Sequence, residues 1–185
     1  QLAHIEAGLR SFDIWHPFPE EINRRITTKV ARLHFAPGDQ PVKNLKHAKG
    51  LVINTFYNTV KDSIGLVKSL KSVDLPSEVP ARYDGVVSIH RNELLSSKSI
   101  FRDFLETLAG PDFQGDKLIF LDHPVTKEKI RVLGFDKYLN RPNIVRVPKL
   151  DYPSFMKLLS GSKFVLTDSG GLQEECSYLN IPFVI

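Results

Sequence analysis

Cysteine occurs once in the 185 residues, as Cys176, and methionine and tryptophan once each. A single thiol excludes an internal disulfide and any thiolate-rich zinc site, and it fits a reducing compartment, so a cytoplasmic protein is expected. Its helix-period surroundings make Cys176 a small packing residue rather than a nucleophile. No apolar run approaches the roughly 18 residues of a membrane span and the start is not signal-like, so no membrane insertion is expected. A large excess of one charge is also missing, since 25 Lys and Arg against 21 Asp and Glu leave a scattered +4. Without an Arg-rich run or basic-aromatic interleaving, no nucleic acid is expected as a partner; the mild positive balance suits an anionic small molecule. The six His residues are dispersed without ligand spacing, so no metal is expected either. There is no internal repeat and no low-complexity tract.

What is present is an ordinary globular balance, 42% hydrophobic and 25% charged, enough for one sizeable core or parts of two. The chain opens at Gln1 without a Met and stops inside Pro182-Phe183-Val184-Ile185, so both ends read as cuts through a longer protein. From Asp84 onward, short apolar runs alternate with helix-period segments. Strands are predicted at 85–89, 117–121, 143–147 and 163–167, with a last one beginning at Pro182. Helices are predicted from the spacing of Ile100, Phe101, Phe104, Leu105 and Leu108, over about 126–133, from Pro153 to Leu159, and over 171–179. Such alternation with continuously apolar strands means a parallel sheet covered on both faces. The first 57 residues read differently. A helix opens at Pro19-Glu20-Glu21 with Ile22, Ile26, Val30 and Leu33 as one apolar stripe, Pro37-Gly38-Asp39 breaks it, and Leu45 marks a short helix before the strand-like 51–53. No self-contained sheet is expected there, so residues 1–57 read as the end of a preceding α/β domain and 58–185 as a second, incomplete one.

Ser169-Gly170-Gly171 follows a strand and opens a helix. Helix N-termini present unpaired N–H groups and a positive dipole end, and glycines admit a phosphate close to the backbone; a tight strand–helix turn reads the same locally. Glu174 and Glu175 follow in that helix, where a carboxylate can take a ribose diol or simply favour the helix start. Glu20 and Glu21 also open a helix, and Glu6 lies in the apolar run His4-Ile5-Glu6-Ala7-Gly8. Two carboxylates in one cleft can act as acid and base on a C–H bond, although spacing alone does not bring them together. His90 ends a strand where open parallel sheets bind ligands, and His123 ends the next; each suits a proton or hydrogen-bond donor, or a structural role.

In this order the segments resemble the non-hydrolysing UDP-N-acetylglucosamine 2-epimerase family. His4-Ile5-Glu6-Ala7-Gly8-Leu9-Arg10 matches H-[VI]-E-A-G-L-R, and Pro17-Phe18-Pro19-Glu20-Glu21-Ile22-Asn23-Arg24 matches P-[WF]-P-E-E-x-N-R. Asn58-Thr59-Val60 with Asp62 resembles the N-T-V-x-D hinge, and Thr167 to Glu175 matches T-D-S-G-G-[IL]-Q-E-E. The resemblance implies a GT-B-like fold of two Rossmann-type domains, of which this chain holds the end of the first and most of the second. It implies interconversion of UDP-GlcNAc and UDP-ManNAc without metal or nicotinamide cofactor, by elimination and re-addition of UDP, supplying a surface polysaccharide precursor in a homodimeric enzyme. Glu6 and Glu20 are then acid/base carboxylates around C2, and His90 assists at the departing diphosphate. Ser169, Gly170 and Gly171 bind the phosphates, Glu175 the ribose, and Phe155 packs on uracil. The chain departs from the family's H-R-R-E-[NS] at His90-Arg91-Asn92-Glu93-Leu94, and Tyr57 replaces a glycine before the hinge. A modified UDP-sugar, a hydrolysing reaction and a non-catalytic UDP-sugar binder therefore stay open, and the 185-residue piece is expected to be inactive alone.

Overall fold

The computed structural model describes residues 2–16 and 18–185; Gln1, and Pro17 of the P-F-P-E-E-I-N-R stretch, lie outside the described residues. The chain forms two compact units, Gln1–Gly65 and Leu66–Ile185. Among the described residues no helix is long and apolar enough to cross a membrane.

The first unit contains β1 (Ala3–Ile5), α1 (Glu20–Val30), β2 (Leu33–Ala36), α2 (Asp39–Asn44) and β3 (Leu51–Asn54); α3 (Thr59–Ser69) runs across its end. β1, β2 and β3 pair in that order as a parallel three-stranded sheet. The expectation that this stretch has no sheet of its own is therefore corrected. Its strands are three or four residues long, too short to show a period. Leu33 also continues the helical phase of Ile22, Ile26 and Val30 although it begins β2, so the stripe concealed a strand. Ile26 and Val30 are more than half exposed. Pro37-Gly38-Asp39 ends no helix; it is the turn from β2 into α2. Gly8 has φ +85, and a Cβ there would lie 2.2 Å from the Pro41 carbonyl oxygen. Both the backbone angle and the close approach require glycine.

The second unit holds β4 (Gly85–Ser88), α4 (Asn92–Ser96), α5 (Lys98–Leu108), β5 (Leu118–Asp122), α6 (Pro124–Leu133), α7 (Asp136–Leu139), β6 (Ile144–Pro148), α8 (Tyr152–Ser160), β7 (Phe164–Thr167), α9 (Gly170–Leu179) and β8 (Phe183–Val184). Its strands lie in the order β6-β5-β4-β7-β8, all parallel. Every residue of β4 is buried, as are Leu118 to Leu121 of β5. That is the signature of a sheet covered on both faces, as the apolar runs implied. One face packs Val87, Leu118 and Phe120 against Phe101, Leu105 and Leu108 of α5 and Ile130 of α6. Those α5 positions recur at helical spacing, and the Ser97 side chain caps its start. Right-handed crossovers put α8 and α9 on the other face, where Met156, Leu159, Leu172 and Cys176 are buried. Phe120 has no accessible surface, and truncating it to alanine should cost about 3–5 kcal/mol through lost burial and the cavity left. Sequence periodicity missed α4 and α7, each five residues or fewer.

Candidate functional site

The strand order reverses between β4 and β7, so connections leave these neighbours in opposite directions and open a crevice beyond their carboxyl ends. His90 and Arg91 follow β4 on one side, and Asp168 and Ser169 follow β7 on the other. The Asp168 carboxylate spans the gap. It accepts from the His90 amide at 3.0 and 3.1 Å and from the Arg91 amide at 2.7 Å, with the His90 Nδ1 3.5 Å away. The His90 ring lies 4.9 Å from the His123 ring. His123 ends β5 and begins α6, with its Nε2 3.1 Å from the Ser88 hydroxyl. Burial, then the nearby His90 and Lys149, push the His123 pKa below its ordinary value, with Asp168 opposing them. His123 is therefore a neutral hydrogen-bonding group at pH 7. Behind it, the buried Thr126 hydroxyl donates to the Ile89 carbonyl and ties α6 to the end of β4.

The start of α9 forms the opposite wall. The Ser169 amide is taken by the Thr167 hydroxyl at 3.0 Å, and the Gln173 amide makes the first bond of the helix, to the Ser169 carbonyl. Helix geometry leaves the amides of Gly170, Gly171 and Leu172 without intrahelical partners. Neither glycine has a positive φ, so backbone conformation does not demand them. A Cβ on Gly171 would meet nothing within 4 Å, and one on Gly170 only the Arg91 guanidinium at 3.5 Å. Here glycine serves to leave open space.

That space is a cavity of about 530 Å³, within the range of small-molecule sites. His90, His123 and Ser88 line it from the β4–β5 side, Ser169, Gly171, Leu172 and Glu175 from α9, and Lys149, Tyr152 and Phe155 from the β6–α8 segment. Asp151 caps α8 through the Ser154 amide at 2.8 Å and so fixes where Tyr152 and Phe155 project. Burial raises the Glu175 pKa above its ordinary value; Tyr152 draws it partly back and Glu174 adds to the rise. Burial and the Glu175 charge push the Tyr152 pKa up to about 12. The Tyr152 hydroxyl is buried with no partner at hydrogen-bonding distance among the described residues. A half-buried carboxylate, an unpaired phenol, free helix amides and two imidazoles together suit a ligand with both anionic and hydroxyl groups.

In the first unit, Glu6 follows β1 with φ 56, a left-handed conformation uncommon for a side-chain-bearing residue and associated with functional sites. Its carboxylate is held by Thr59 at the start of α3, whose amide donates at 3.0 Å and whose hydroxyl also donates. Glu20 is exposed at the start of α1, and no hydrogen bond joins it to Glu6 among the described residues. Its neighbour Glu21 has no accessible surface and accepts from Arg25 Nε at 2.8 Å and the Ser11 amide at 3.1 Å. Burial would raise the Glu21 pKa, but Arg25, the Ser11 amide and Arg10 together hold it below the ordinary value. The two adjacent glutamates therefore differ, Glu21 bound into the structure and Glu20 free to face solvent.

A family model described as UDP-N-acetylglucosamine 2-epimerase matches residues 1–185. The chain belongs to the UDP-N-acetylglucosamine 2-epimerase family. It is 33% identical over 196 residues to the UDP-N-acetylglucosamine 2-epimerase of Methanocaldococcus jannaschii, covering 99% of this chain and 52% of that protein. It spans about half the length of the curated relatives it matches. Among solved structures it is similar to the UDP-GlcNAc 2-epimerase of Neisseria meningitidis bound to UDP-GlcNAc, with TM-score 0.79, 28% identity, and coverage of 99% of this chain and 52% of that one. It is also similar to the M. jannaschii enzyme in complex with UDP-GlcNAc and UDP, with TM-score 0.72, 28% identity, and coverage of 98% and 52%. The chain has the family's GT-B-like α/β fold, built on parallel sheets.

Of the residues that this 2-epimerase family's motifs singled out, His90, Phe155, Ser169, Gly171 and Glu175 line one cavity, and Gly170 adjoins it in the same turn. Glu6 and Glu20 belong to the other unit. Asp168 and Tyr152 carried no role in the sequence reading. For Asp168 a signal existed, because an acidic residue directly after a strand can accept from the amides of a neighbouring loop. For Tyr152 there was none, since only packing on α9 sets it near Glu175.

Proposed function

We infer that this chain provides the nucleotide-binding part of a UDP-GlcNAc 2-epimerase that interconverts UDP-GlcNAc and UDP-ManNAc. The observation that carries the reading is the cavity at the β4–β7 crevice, where free α9 amides, His90, Glu175 and Phe155 converge. In this reading the diphosphate lies against Ser169, Gly170 and Gly171, the ribose hydroxyls donate to Glu175, and uracil packs on Phe155. Ligand complexes of relatives with UDP-GlcNAc support that choice of ligand. The reaction is a non-hydrolysing elimination followed by re-addition. One carboxylate of the pair Glu6 and Glu20 takes the C2 proton while the C1–oxygen bond breaks, and UDP leaves with His90 assisting at its phosphate. UDP then adds back to the 2-acetamidoglucal as a proton returns to the opposite face of C2. The left-handed backbone at Glu6 and its double anchorage to Thr59 support a catalytic assignment there. The setting proposed is a cytoplasmic homodimer that supplies a surface polysaccharide precursor.

Incubation with UDP-GlcNAc in D2O tests the reading. A protein of the relatives' full length containing this chain should incorporate deuterium at C2 and form UDP-ManNAc, whereas the 185-residue chain should bind UDP without turnover. Release of UDP and free ManNAc would identify a hydrolysing enzyme. UDP binding without exchange at full length would identify a non-catalytic binder, a reading that Asn92 and Leu94 keep in view.

A further inference from the structure

Asp168 presents a problem of sign. It stands one residue before Ser169, so it sets a carboxylate beside the turn read as the seat of a diphosphate, where like charge repels. Its bonds explain what that charge does there. Two backbone amides of the opposite wall, those of His90 and Arg91, converge on this carboxylate at 2.7–3.1 Å. The His90 ring also turns Nδ1 toward it, at 3.5 Å, which leaves Nε2 as the ring nitrogen free for another partner. No other side chain among the described residues hydrogen-bonds to these two amides. His90 to Glu93 are exposed, and His90 and Arg91 lie in the short connection between the end of β4 and the start of α4 at Asn92.

We propose that Asp168 is the positioning residue for His90 and Arg91, holding the β4 side of the crevice at a fixed distance from the α9 amides. It accepts a repulsive charge near the phosphates in exchange for a rigid wall. The binding consequence rests on the reading of the cavity as a UDP site; the holding of the loop does not.

Asp168→Asn tests this in the 185-residue chain, because the amide keeps the size and removes the charge. Oδ2 alone accepts from both amides while Oδ1 shares that of His90, so an asparagine keeps at best a neutral acceptor at Oδ2, loses the charge, and sets its NH2 group against the His90 N–H. Amide hydrogen exchange should accelerate at His90 and Arg91 by about tenfold or more, as expected for losing a charge-assisted bond, with the Phe120 amide on β5 unchanged. Affinity for UDP, measured calorimetrically, should fall by about tenfold although a repelling charge has gone. An Asp168→Asn chain that binds UDP as tightly as wild type, or more tightly, overturns the proposal. So does acceleration spread equally to Phe120, which would mean general destabilisation. Should wild type itself fail to bind UDP, the UDP reading falls, and exchange at His90 and Arg91 still decides whether Asp168 holds the loop.

Discussion

Replacing Gly171 by alanine should raise the melting temperature of the second unit while lowering its affinity for UDP. Glycine is the poorer helix former because its backbone loses more freedom on folding, and Gly→Ala at a compatible position stabilises by about 0.4–1 kcal/mol. Gly171 is compatible: its φ is not positive, and an added Cβ would meet nothing within 4 Å. The position lies in the first turn of α9, so the lower end applies, about 0.5 kcal/mol, or roughly 1–2 °C in a chain of this size. The same methyl projects into the cavity that Gly171 lines, over amides that have no intrahelical partner. A phosphate oxygen kept from one such amide loses a charge-assisted bond worth about 1.5–3 kcal/mol, which is roughly a tenfold to hundredfold loss of affinity. Differential scanning calorimetry and titration calorimetry with UDP give the two numbers. An alanine variant that binds UDP like wild type would refute the phosphate seat, and one that melts lower would refute the geometry of the turn.

Affinity for UDP should rise with pH from about 4.5 upward, because burial places the Glu175 pKa above that ordinary value and ribose hydroxyls donate best to the ionised form. Glu175→Gln, which shares every other titration including that of UDP, should bind more weakly and lack this component. At the relatives' full length, Glu6→Gln should abolish deuterium exchange at C2 and spare UDP binding; equal loss of both would remove Glu6 from the chemistry. Glu21 supplies a stability test from a pKa shift of opposite sign. Its folded pKa is depressed, so its contribution is present above the unfolded value near 4.5 and is lost as pH falls through the folded one. Its cover is shallow, since the Arg25 side chain over it is 43% exposed. Glu21→Gln should therefore cost about 1.5 kcal/mol at pH 7 and flatten the acid limb of a melting series. An unchanged acid limb would count against the ion pair.

The second unit was legible because its strands are buried on both faces, and continuous apolar runs such as Leu118 to Leu121 signal that state when they are short and alternate with helix-period segments. Helices of nine or more residues also announced themselves, as in the spacing of Phe101, Leu105 and Leu108. The first unit was not legible as a sheet, because strands of three or four residues carry no measurable period and Leu33 fell in phase with the helix before it. Short motifs named the family and singled out the residues now seen around the cavity, since a turn such as Ser169-Gly170-Gly171 is a local event whose residues are neighbours in sequence. Everything that depends on approach across the crevice was decided only by tertiary structure. The carboxylate of Asp168 reaches amides 77 and 78 residues away, and Tyr152 meets Glu175 only because α8 and α9 pack on the same face. Sequence alone determined the fold class, the family and the glycines of the turn at Gly171. Pairing β4 with β7 determined which side chains face one another across that turn, because hydrogen-bonding distance is a property of the folded chain and has no trace in residue spacing.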